Sequence, residues 1–256
     1  MPLWVGPDEG NPPPPGERPA YWLRREFELS GPSGAAPRSV LRFSARGLVE
    51  IFVNGVRVGD ELLPGYMQYD RRLPLRAIDL NGHLHAGTNA VTFVLADGWF
   101  RGQTGATRAA DQWGTTTSIW AELAVGSRPV LVTDPVWRSA PSHILQADLI
   151  AGQTEDRRRF DPAVYLPGFD DSEWGHVVVA DGPATTFAEY AAPPVRRVEE
   201  LRPVGVAEIR PGVHVVDLGQ NINGWTRLTD LGPDGAGGGS LRLNIELNTG
   251  DLEVTR

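Results

Sequence analysis

Three residues in one short segment bring a carboxylate, an indole and a guanidinium to alternate positions. Asp97, Trp99 and Arg101 come directly after the apolar run Asn89–Ala96. A carboxylate accepts hydrogen bonds from hydroxyl groups and an aromatic ring covers the C–H face of a sugar, so this set could bind a carbohydrate. Each residue also has a structural interpretation. Asp before Gly commonly forms a turn that binds backbone donors, Trp commonly packs in a core, and Arg can pair with a neighbouring carboxylate.

The acidic residues are numerous, but their number alone does not indicate a catalytic pair of carboxylates. The chain has 32 Asp and Glu residues. Inverting glycoside hydrolysis needs two carboxyl groups about 6.5–9.5 Å apart across the sugar. So many acidic residues make a chance pair easy to propose, and for Asp97 a structural or binding role is favoured over a catalytic one. Nucleophile elbows, phosphate loops, dinucleotide fingerprints and HExxH are absent from the sequence.

The composition excludes several other classes of chemistry. The 256 residues contain neither cysteine nor lysine, which excludes disulfides, thiolate sites, Schiff bases and phosphate-loop lysines. The formal net charge is −8, and the most basic run, Arg157–Arg159, is flanked by acidic residues. A nucleic-acid partner is therefore not expected. No signal pattern or bilayer-spanning apolar run is present, which predicts no membrane partner and a cytoplasmic location, with secretion left open.

The elements that would hold these residues are predicted to be short strands. The 30 glycines and 22 prolines favour strands joined by turns. Asn54-Gly55 between two β-branched runs predicts a hairpin with a type I′ turn. Asn89–Ala96 predicts a central strand, and Thr117–Val125 with Val130–Thr133 predicts a further hairpin. No long segment has helical periodicity, so we predict an all-β chain, with a jelly-roll or similar sandwich first.

The chain is expected to divide into three parts. Residues 1–20 are proline-rich and are expected to lie extended on the surface, with local pinning at Trp4-Val5-Gly6, and the ordered fold is expected to begin at Tyr21. Residues 21–190 are expected to form the jelly roll. Residues 191–256 are expected to begin a second β domain, after a boundary rich in alanine and proline.

A second informative segment lies near the end of the chain. Asp217–Trp225 reads Asp-Leu-Gly-Gln-Asn-Ile-Asn-Gly-Trp and follows an apolar strand. Gly219 and Gly224 supply backbone freedom, and Asn221 and Asn223 tolerate left-handed conformations, as a tight turn requires. The segment resembles the D-x-G-Q-N-x-x-G-W motif of bacterial α-L-rhamnosidases of glycoside hydrolase family 78, and every fixed position of the pattern fits.

Further segments carry the same resemblance. Leu95–Gly102 is similar to the family's L-G-D-G-W-Y-x-G, with Ala96 in place of glycine and Phe100 in place of tyrosine. The loop at residues 152–158 is similar to G-E-x-Y-D-A-R but departs from it at three positions. The other matching segments are E-x-x-x-N-G-x-x-V-G-D at Glu50–Asp60, L-x-P-G-x-x-x-Y at Leu62–Tyr69 and G-F-D-D-S-x-W at Gly168–Trp174.

The resemblance implies a fold and a function. The fold is an all-β, galactose-binding-like jelly-roll sandwich followed by a partial, concanavalin-like second β-sandwich. The family's catalytic α/α barrel, with its general acid and general base, is absent, so no catalytic residue is assigned. The expected function is that of the non-catalytic N-terminal portion of an enzyme that releases terminal L-rhamnose from glycosides. Expected partners are an L-rhamnose-containing glycoside and the missing catalytic domain. A stand-alone carbohydrate-binding module and a purely structural sandwich remain alternatives.

Calcium is the cofactor that the resemblance brings into consideration, because some jelly rolls of this kind bind L-rhamnose through a calcium ion. Calcium needs about six or more oxygen ligands. The weak candidates for such ligands are Asn54, Asp60 and Asp97, and Asp70 and Asp111 are further possible donors. No EF-hand spacing joins these residues.

The second β domain is expected to be truncated. Missing strands would leave Trp225, Leu228 and Leu241 without cover, exposing an apolar face and a sheet edge. Self-association through this domain is therefore expected.

Overall fold

The fold was obtained as a computed structural model. It describes residues 1–31, 37–182, 186–189, 193, 195–222 and 224, together with the strand backbones 242–245 and 252–255. The chain divides into two compact units, Met1–Arg196 and Arg197–Arg256. No helix among the described residues is long and apolar enough to cross a membrane.

The first unit is built almost wholly from strands. One four-residue helix, α1, covers Gly98–Arg101, and two 3-10 turns cover Arg157–Arg159 and Pro162–Tyr165. The strands are β1 Val5–Gly6, β2 Tyr21–Leu29, β3 Ser39–Arg46, β4 Leu48–Val53, β5 Val56–Val58, β6 Arg72–Asp79, β7 Gly87–Ala96, β8 Ser118–Val125, β9 Arg128–Val132, β10 Arg138–Pro141, β11 Ile144–Asp148, β12 Gly152–Glu155, β13 Gly175–His176, β14 Val178–Val179 and β15 Thr186–Glu189.

Two sheets form the predicted sandwich. One has the order β14-β1-β8-β3-β6-β15, with β9 added to β8, and the other has the order β13-β10-β2-β7-β4-β5. Neighbouring strands are antiparallel except for β15, which runs parallel to β6. Apolar side chains from both sheets, including Leu41, Phe93 and Ile119, form one buried core between them. The all-β class predicted from the sequence is confirmed.

The local predictions for the hairpin and the central strand are also confirmed. Asn54 and Gly55 have φ values of 49° and 86°, and Val53 pairs with Val56 across them, as a two-residue turn requires. Strand β7 is buried on both faces because Phe93 and its alternate neighbours face the main core. Val94 packs in a second apolar cluster on the other face.

The segment with the G-F-D-D-S-x-W motif covers that second face. Its anchor is Arg24 in β2, whose guanidinium is buried and donates to Asp171 Oδ2 at 2.6 Å and to the carbonyl oxygens of Val164 and Leu166. Asp170 Oδ1 accepts from the backbone N–H of Ser172 at 3.0 Å. The acidic residues of this motif therefore stabilise a turn and a buried cation.

The expectation that the ordered fold begins at Tyr21 is wrong, because strand β1 precedes it. Strand β1 lies between β8 and β14 in the first sheet, where Val5 pairs with both Ile119 and Val179. Trp4 and Val5 are buried in the cores of the unit. The prolines keep residues 7–19 out of the sheets, but the two residues before them complete one of the sheets.

The second unit contains a four-stranded antiparallel sheet among its described residues. Its strands are β16 Gly205–Arg210, β17 Val213–Asp217, β18 Arg242–Ile245 and β19 Leu252–Thr255, in the order β16-β17-β19-β18. The predicted turn after Asp217 is present, because Asp217 Oδ1 accepts from Gly219 N at 2.7 Å and Gly219 has a φ of 75°.

The predicted apolar face falls outside the described residues. This applies to Trp225, Leu228 and Leu241, and to Asn223 of the motif. Self-association through this unit therefore stays a prediction.

Candidate functional site

Segment 97–117 projects from one end of the sandwich. Leu48 pairs with Ala96 and Arg46 pairs with Ser118, so the segment leaves and re-enters the sheets at the same end. Gly98 begins α1 with a φ of 53°, and a Cβ at this position would lie 2.7 Å from Leu48 N. Glycine at position 98 of the D-G-W motif is therefore required for steric reasons, because α1 turns against the backbone at the start of β4.

Aromatic side chains collect on this segment and on the loop before β6. We call Tyr66, Tyr69, Trp99, Phe100 and Trp113 the aromatic cluster. Tyr69 and Phe100 are buried, with their rings 5.2 Å apart. Above them, Tyr66 is 51% exposed and meets Trp99 edge to face at 5.9 Å and Trp113 at 6.3 Å. The cluster therefore has a buried base and a partly exposed upper layer.

Polar contacts fix the upper layer of the cluster. Trp99 Nε1 donates to the carbonyl of Pro64 at 2.9 Å, and the Tyr66 hydroxyl donates to Gln112 Oε1 at 3.1 Å. The backbone N–H of Trp113 donates to the carbonyl of Phe100 at 3.3 Å, which folds the polar loop back onto α1. These bonds hold the rings in place and leave the amide of Gln112 at the exposed surface.

Beneath the loop lies a row of five charged side chains, which we call the ionic chain: Glu9, Arg101, Asp97, Arg18 and Asp111. Arg101 bonds both oxygens of Glu9, at 2.5 and 2.6 Å, and donates from Nε to Asp97 at 2.6 Å. Arg18 lies 3.4 Å from Asp97 and bonds both oxygens of Asp111, at 2.8 and 3.1 Å. The ionic chain therefore ties the N-terminal segment to the loop that carries the aromatic cluster.

Burial controls the electrostatics of the ionic chain. Burial by itself lowers the pKa of Arg101, but the hydrogen bonds that Arg101 donates to Glu9 and the attraction of Asp97 more than reverse this, so the pKa of Arg101 is raised. Burial raises the pKa of Asp97 against the opposing attraction of Arg101 and Arg18. The guanidinium of Arg101 therefore stays charged, and its charge is neutralised locally.

The three residues singled out from the sequence lie close together but in different environments. Asp97 and Arg101 are each 1% exposed and use their polar atoms within the ionic chain. Asp97 does not bind backbone donors at the helix start either, because its partners are guanidinium groups. Trp99 is the member of the three that reaches the surface, at the edge of Tyr66.

Sequence reasoning missed Tyr66, Gln112 and Trp113. Tyr66 lies within the matched loop Leu62–Tyr69, and the other two lie in a polar loop without periodicity. The signal that could have found them is the presence of aromatic residues in loops that are otherwise rich in glycine and threonine.

The proposed calcium ligands lie apart in the structure. The Asn54 amide donates to His83 O and Asn89 Oδ1, and its oxygen accepts from Ala90 N, all within the hairpin region. Asp60 is exposed and pairs with Arg196 at 2.7 Å. Across the described part of the chain, no group of three or more His, Cys, Asp or Glu residues is placed to hold a metal ion. Asn54, Asp60 and Asp97 therefore do not form a shared site.

Comparisons with known proteins agree on one family. The sequence model of the family described as the α-L-rhamnosidase N-terminal domain matches residues 35–199 of this chain. The chain is 37% identical over 223 residues to an α-L-rhamnosidase from Streptomyces avermitilis, covering 84% of this chain and 21% of the relative. It is 26% identical over 192 residues to one from an Alteromonas species, covering 72% of this chain and 21% of the relative. The chain thus spans about a fifth of the length of these curated relatives.

Solved structures give the same result. The crystal structure of the Streptomyces avermitilis α-L-rhamnosidase with L-rhamnose matches with a TM-score of 0.73 and 36% identity, over 80% of this chain and 20% of that one. An α-L-rhamnosidase from Aspergillus terreus matches with a TM-score of 0.78 and 26% identity, over 86% of this chain and 26% of that one. The matched sequence, the sandwich and its loops together show that this chain belongs to the α-L-rhamnosidase N-terminal domain family.

Proposed function

We propose that this chain serves as the non-catalytic N-terminal portion of an α-L-rhamnosidase and that its aromatic cluster contacts carbohydrate. The parent reaction would be the release of terminal L-rhamnose from a glycoside. The observation that carries the carbohydrate contact is the exposed upper layer of the cluster, where Tyr66 and Trp99 stand edge to face beside a surface amide. Aromatic faces next to a few fixed polar groups are the usual composition of a sugar site.

A related structure supports the choice of ligand. The Streptomyces avermitilis relative, at 36% identity, was solved in complex with L-rhamnose. L-Rhamnose has an apolar methyl group and a C–H face that suit aromatic rings, and hydroxyl groups that suit an amide such as that of Gln112. We therefore choose L-rhamnose as the first ligand to test.

The two buried carboxylates of the ionic chain, Asp97 and Glu9, are not placed to act as a general acid. A general acid must come within about 2.6–3.2 Å of the oxygen that it protonates. At this end of the sandwich, Asp97 is 1% exposed and Glu9 is 6% exposed, and both are held by Arg101. Neither is available to a glycosidic oxygen. We assign hydrolysis to the barrel domain that the family resemblance implies for the whole enzyme.

Titration with L-rhamnose, followed by calorimetry and tryptophan fluorescence, tests the binding role. The wild-type chain is expected to bind and to show a fluorescence change, because Trp99 and Trp113 lie in the cluster. Tyr66→Ala is expected to weaken binding by about tenfold through loss of the ring contact, and Tyr66→Phe is expected to keep most of it. Val56→Ala, an exposed apolar change in β5, serves as the control.

The outcomes separate the alternatives. A flat titration with both L-rhamnose and D-galactose would favour a purely structural sandwich. Equal affinity with and without a chelator would show that no cation is needed. If the purified chain hydrolyses an aryl α-L-rhamnoside, the non-catalytic assignment is wrong. A stand-alone binding module would bind sugar without any barrel encoded by the same gene.

A further inference from the structure

The sequence contains three Asn-Gly pairs, and two of them lie in turns of the first unit. They are Asn54-Gly55 in the β4–β5 hairpin and Asn81-Gly82 between β6 and β7. An asparagine followed by glycine is especially prone to lose its side-chain amide, because glycine has no side chain to hinder attack by its backbone nitrogen. The surroundings of each pair therefore decide whether it can react.

The Asn54-Gly55 pair is held by hydrogen bonds at both of its reacting groups. The side-chain nitrogen of Asn54 donates to the carbonyl of His83 and to Asn89 Oδ1, each at 2.8 Å. The backbone N–H of Gly55 donates to the carbonyl of Tyr165, also at 2.8 Å. The leaving nitrogen and the attacking nitrogen of this pair would both have to break these bonds before they could react.

The Asn81-Gly82 pair has different surroundings. Both residues are exposed, and no atom beyond the adjacent residues lies within 4 Å of the position that a Cβ of Gly82 would occupy. The backbone N–H of Ser39 donates to Asn81 Oδ1 at 2.8 Å. Within the described part of the chain, neither Asn81 Nδ2 nor the N–H of Gly82 donates a hydrogen bond. The attacking and leaving nitrogens of this pair are therefore both available.

The bond from Ser39 also favours attack on the side-chain carbonyl of Asn81. When a nucleophile attacks an amide, negative charge develops on the oxygen, and a backbone N–H at about 2.7–3.1 Å stabilises that charge. The bond from Ser39 has this length. Asn54 Oδ1 has an equivalent donor, the N–H of Ala90 at 2.8 Å. The two pairs therefore share this contact and differ in the state of the nucleophile and the leaving group.

We propose that Asn81-Gly82 is a site of spontaneous deamidation in the folded chain and that Asn54-Gly55 is protected by the fold. The proposal does not depend on the carbohydrate role. The backbone nitrogen of Gly82 gives its proton to solvent and attacks Cγ of Asn81, which forms a five-membered succinimide. The Cγ–Nδ2 bond breaks, and Nδ2 takes up a proton from solvent and leaves as ammonia.

Water then opens the succinimide in one of two ways. Breakage of the bond between the ring nitrogen and Cγ gives aspartate, and breakage of its bond to the main-chain carbonyl carbon gives isoaspartate. In isoaspartate the main chain runs through the former side-chain carbonyl, which displaces the oxygen that accepts from the buried Ser39. Aspartate keeps an oxygen at this position. The isoaspartate product is therefore expected to have the lower melting temperature.

Ageing of the whole chain at 37 °C and pH 8, followed by tryptic peptide mapping with mass spectrometry, tests the proposal. Trypsin cuts after arginine except before proline, so the three Asn-Gly pairs fall in separate peptides, 47–57, 77–101 and 198–227. Asn81 is expected to convert about tenfold faster than Asn54 or more, because the bonds at Asn54 and Gly55 must break first. Fragment spectra distinguish Asn81 from Asn89 within the second peptide.

The same chain unfolded in guanidinium chloride is the matched control. There the tertiary contacts of both pairs are lost, so Asn81 and Asn54 should convert at similar rates. Gly82→Ala adds a Cβ beside the attacking nitrogen and should slow conversion at Asn81 without changing that at Asn54. Asn81→Asp supplies the aspartate product directly, and its melting temperature should lie above that of the isoaspartate fraction isolated from the aged chain.

Two outcomes would overturn the proposal. One is equal conversion of Asn81 and Asn54 in the folded chain, which would mean that the hydrogen bonds at Asn54-Gly55 give no protection. The other is a difference between the two asparagines that persists unchanged in denaturant, because the fold would then not be its cause. An unreacted Asn81 in the folded chain, together with conversion in denaturant, would likewise contradict the proposal.

Discussion

Asp97 and Arg101 use their polar atoms within the ionic chain. Each is almost completely buried, and a buried charge is tolerated when partners and hydrogen bonds compensate for lost water. Their partners Glu9 and Arg18 come from the N-terminal segment, 92 and 79 positions away in sequence. The role of these two residues therefore depends on a contact that only the folded chain creates.

Asp97→Asn is expected to destabilise the first unit by about 3 kcal/mol, because it leaves the buried guanidinium groups of Arg101 and Arg18 short of one negative charge. Urea unfolding followed by tryptophan fluorescence measures the loss. The matched control is Asp79→Asn, whose carboxylate pairs with Arg38 at an exposed position and should give no measurable change. Equal stability of the two variants would show that the ionic chain does not stabilise the fold.

His143 makes the stability of the first unit sensitive to acid. The imidazole stacks on Trp22 with ring centroids 5.6 Å apart, the tilted ring of Phe160 lies 4.4 Å away, and Nε2 lies 3.3 Å from Glu155. Burial lowers the pKa of His143 below 6.5, against the attraction of Glu155. The unfolded chain then takes up the proton first as the pH falls. The free energy of unfolding therefore falls as the pH drops from 6.5 to the pKa of His143 in the folded chain. Above pH 6.5, His143 does not change it.

The melting temperature measured from pH 7.5 to pH 5 tests this sign. His143→Gln is expected to flatten the decline below pH 6.5, because the substituted side chain does not titrate. His176 is exposed, so His176→Gln should leave the profile of the wild-type chain unchanged. A steeper decline in His143→Gln would mean that the pKa of His143 is raised by Glu155 in the folded state.

Only the part of the candidate site whose residues are close together in the sequence could be predicted. The segment after β7 could be chosen because a carboxylate, an indole and a guanidinium follow an apolar strand. The burial of Asp97 and Arg101 could not be predicted, because their partners Arg18 and Glu9 lie in a segment that prolines keep out of regular structure. The upper layer of the cluster depends on Tyr66, which meets Trp99 only when two loops come together.

Strands and turns were more predictable because their signals lie within a few residues. Asn54-Gly55 specifies its turn through the positive φ that both residues adopt. The continuous apolar run of β7 reflects burial on both faces, one against the other sheet and one against the segment anchored by Arg24. Strand β1 is only two residues long, too short for any periodic pattern, and its place in the sheet comes from pairing with β8 and β14.

The start of α1 is expected to be sensitive to an added methyl group. Gly98→Ala places Cβ 2.7 Å from Leu48 N and 2.9 Å from Gly47 C, and these are backbone atoms that cannot move away freely. Gly82 has a φ of 84° but open space around it, so Gly82→Ala should cost only the strain of a left-handed residue, about 1–2 kcal/mol. Gly98→Ala should cost about 1–3 kcal/mol more. Similar losses in chemical denaturation would show that the contact with β4 relaxes.

The whole chain combines two units that differ in their relation to the family. The match to the rhamnosidase N-terminal domain ends at residue 199, close to the end of the first unit at Arg196. The aromatic cluster and the ionic chain both lie within that first unit. The Asp217 turn, which led to the family from sequence, lies in the second unit. The family match and the residues proposed to contact carbohydrate are therefore both in the first unit, and the Asp217 motif is a separate mark of the family in the second unit.

A fragment comprising residues 1–196 is expected to fold and to melt at the temperature of the corresponding transition in the whole chain. Its two sheets and their shared core are complete within the first unit, and its last paired residue, Val195, bridges to Leu63. Differential scanning calorimetry measures both proteins. A second fragment that begins at Tyr21 is the comparison, because it loses β1 and leaves Arg101 without Glu9. That fragment should be strongly destabilised. If the 1–196 fragment melts well below the whole chain, the first unit depends on residues that follow it, and the chain is one cooperative domain.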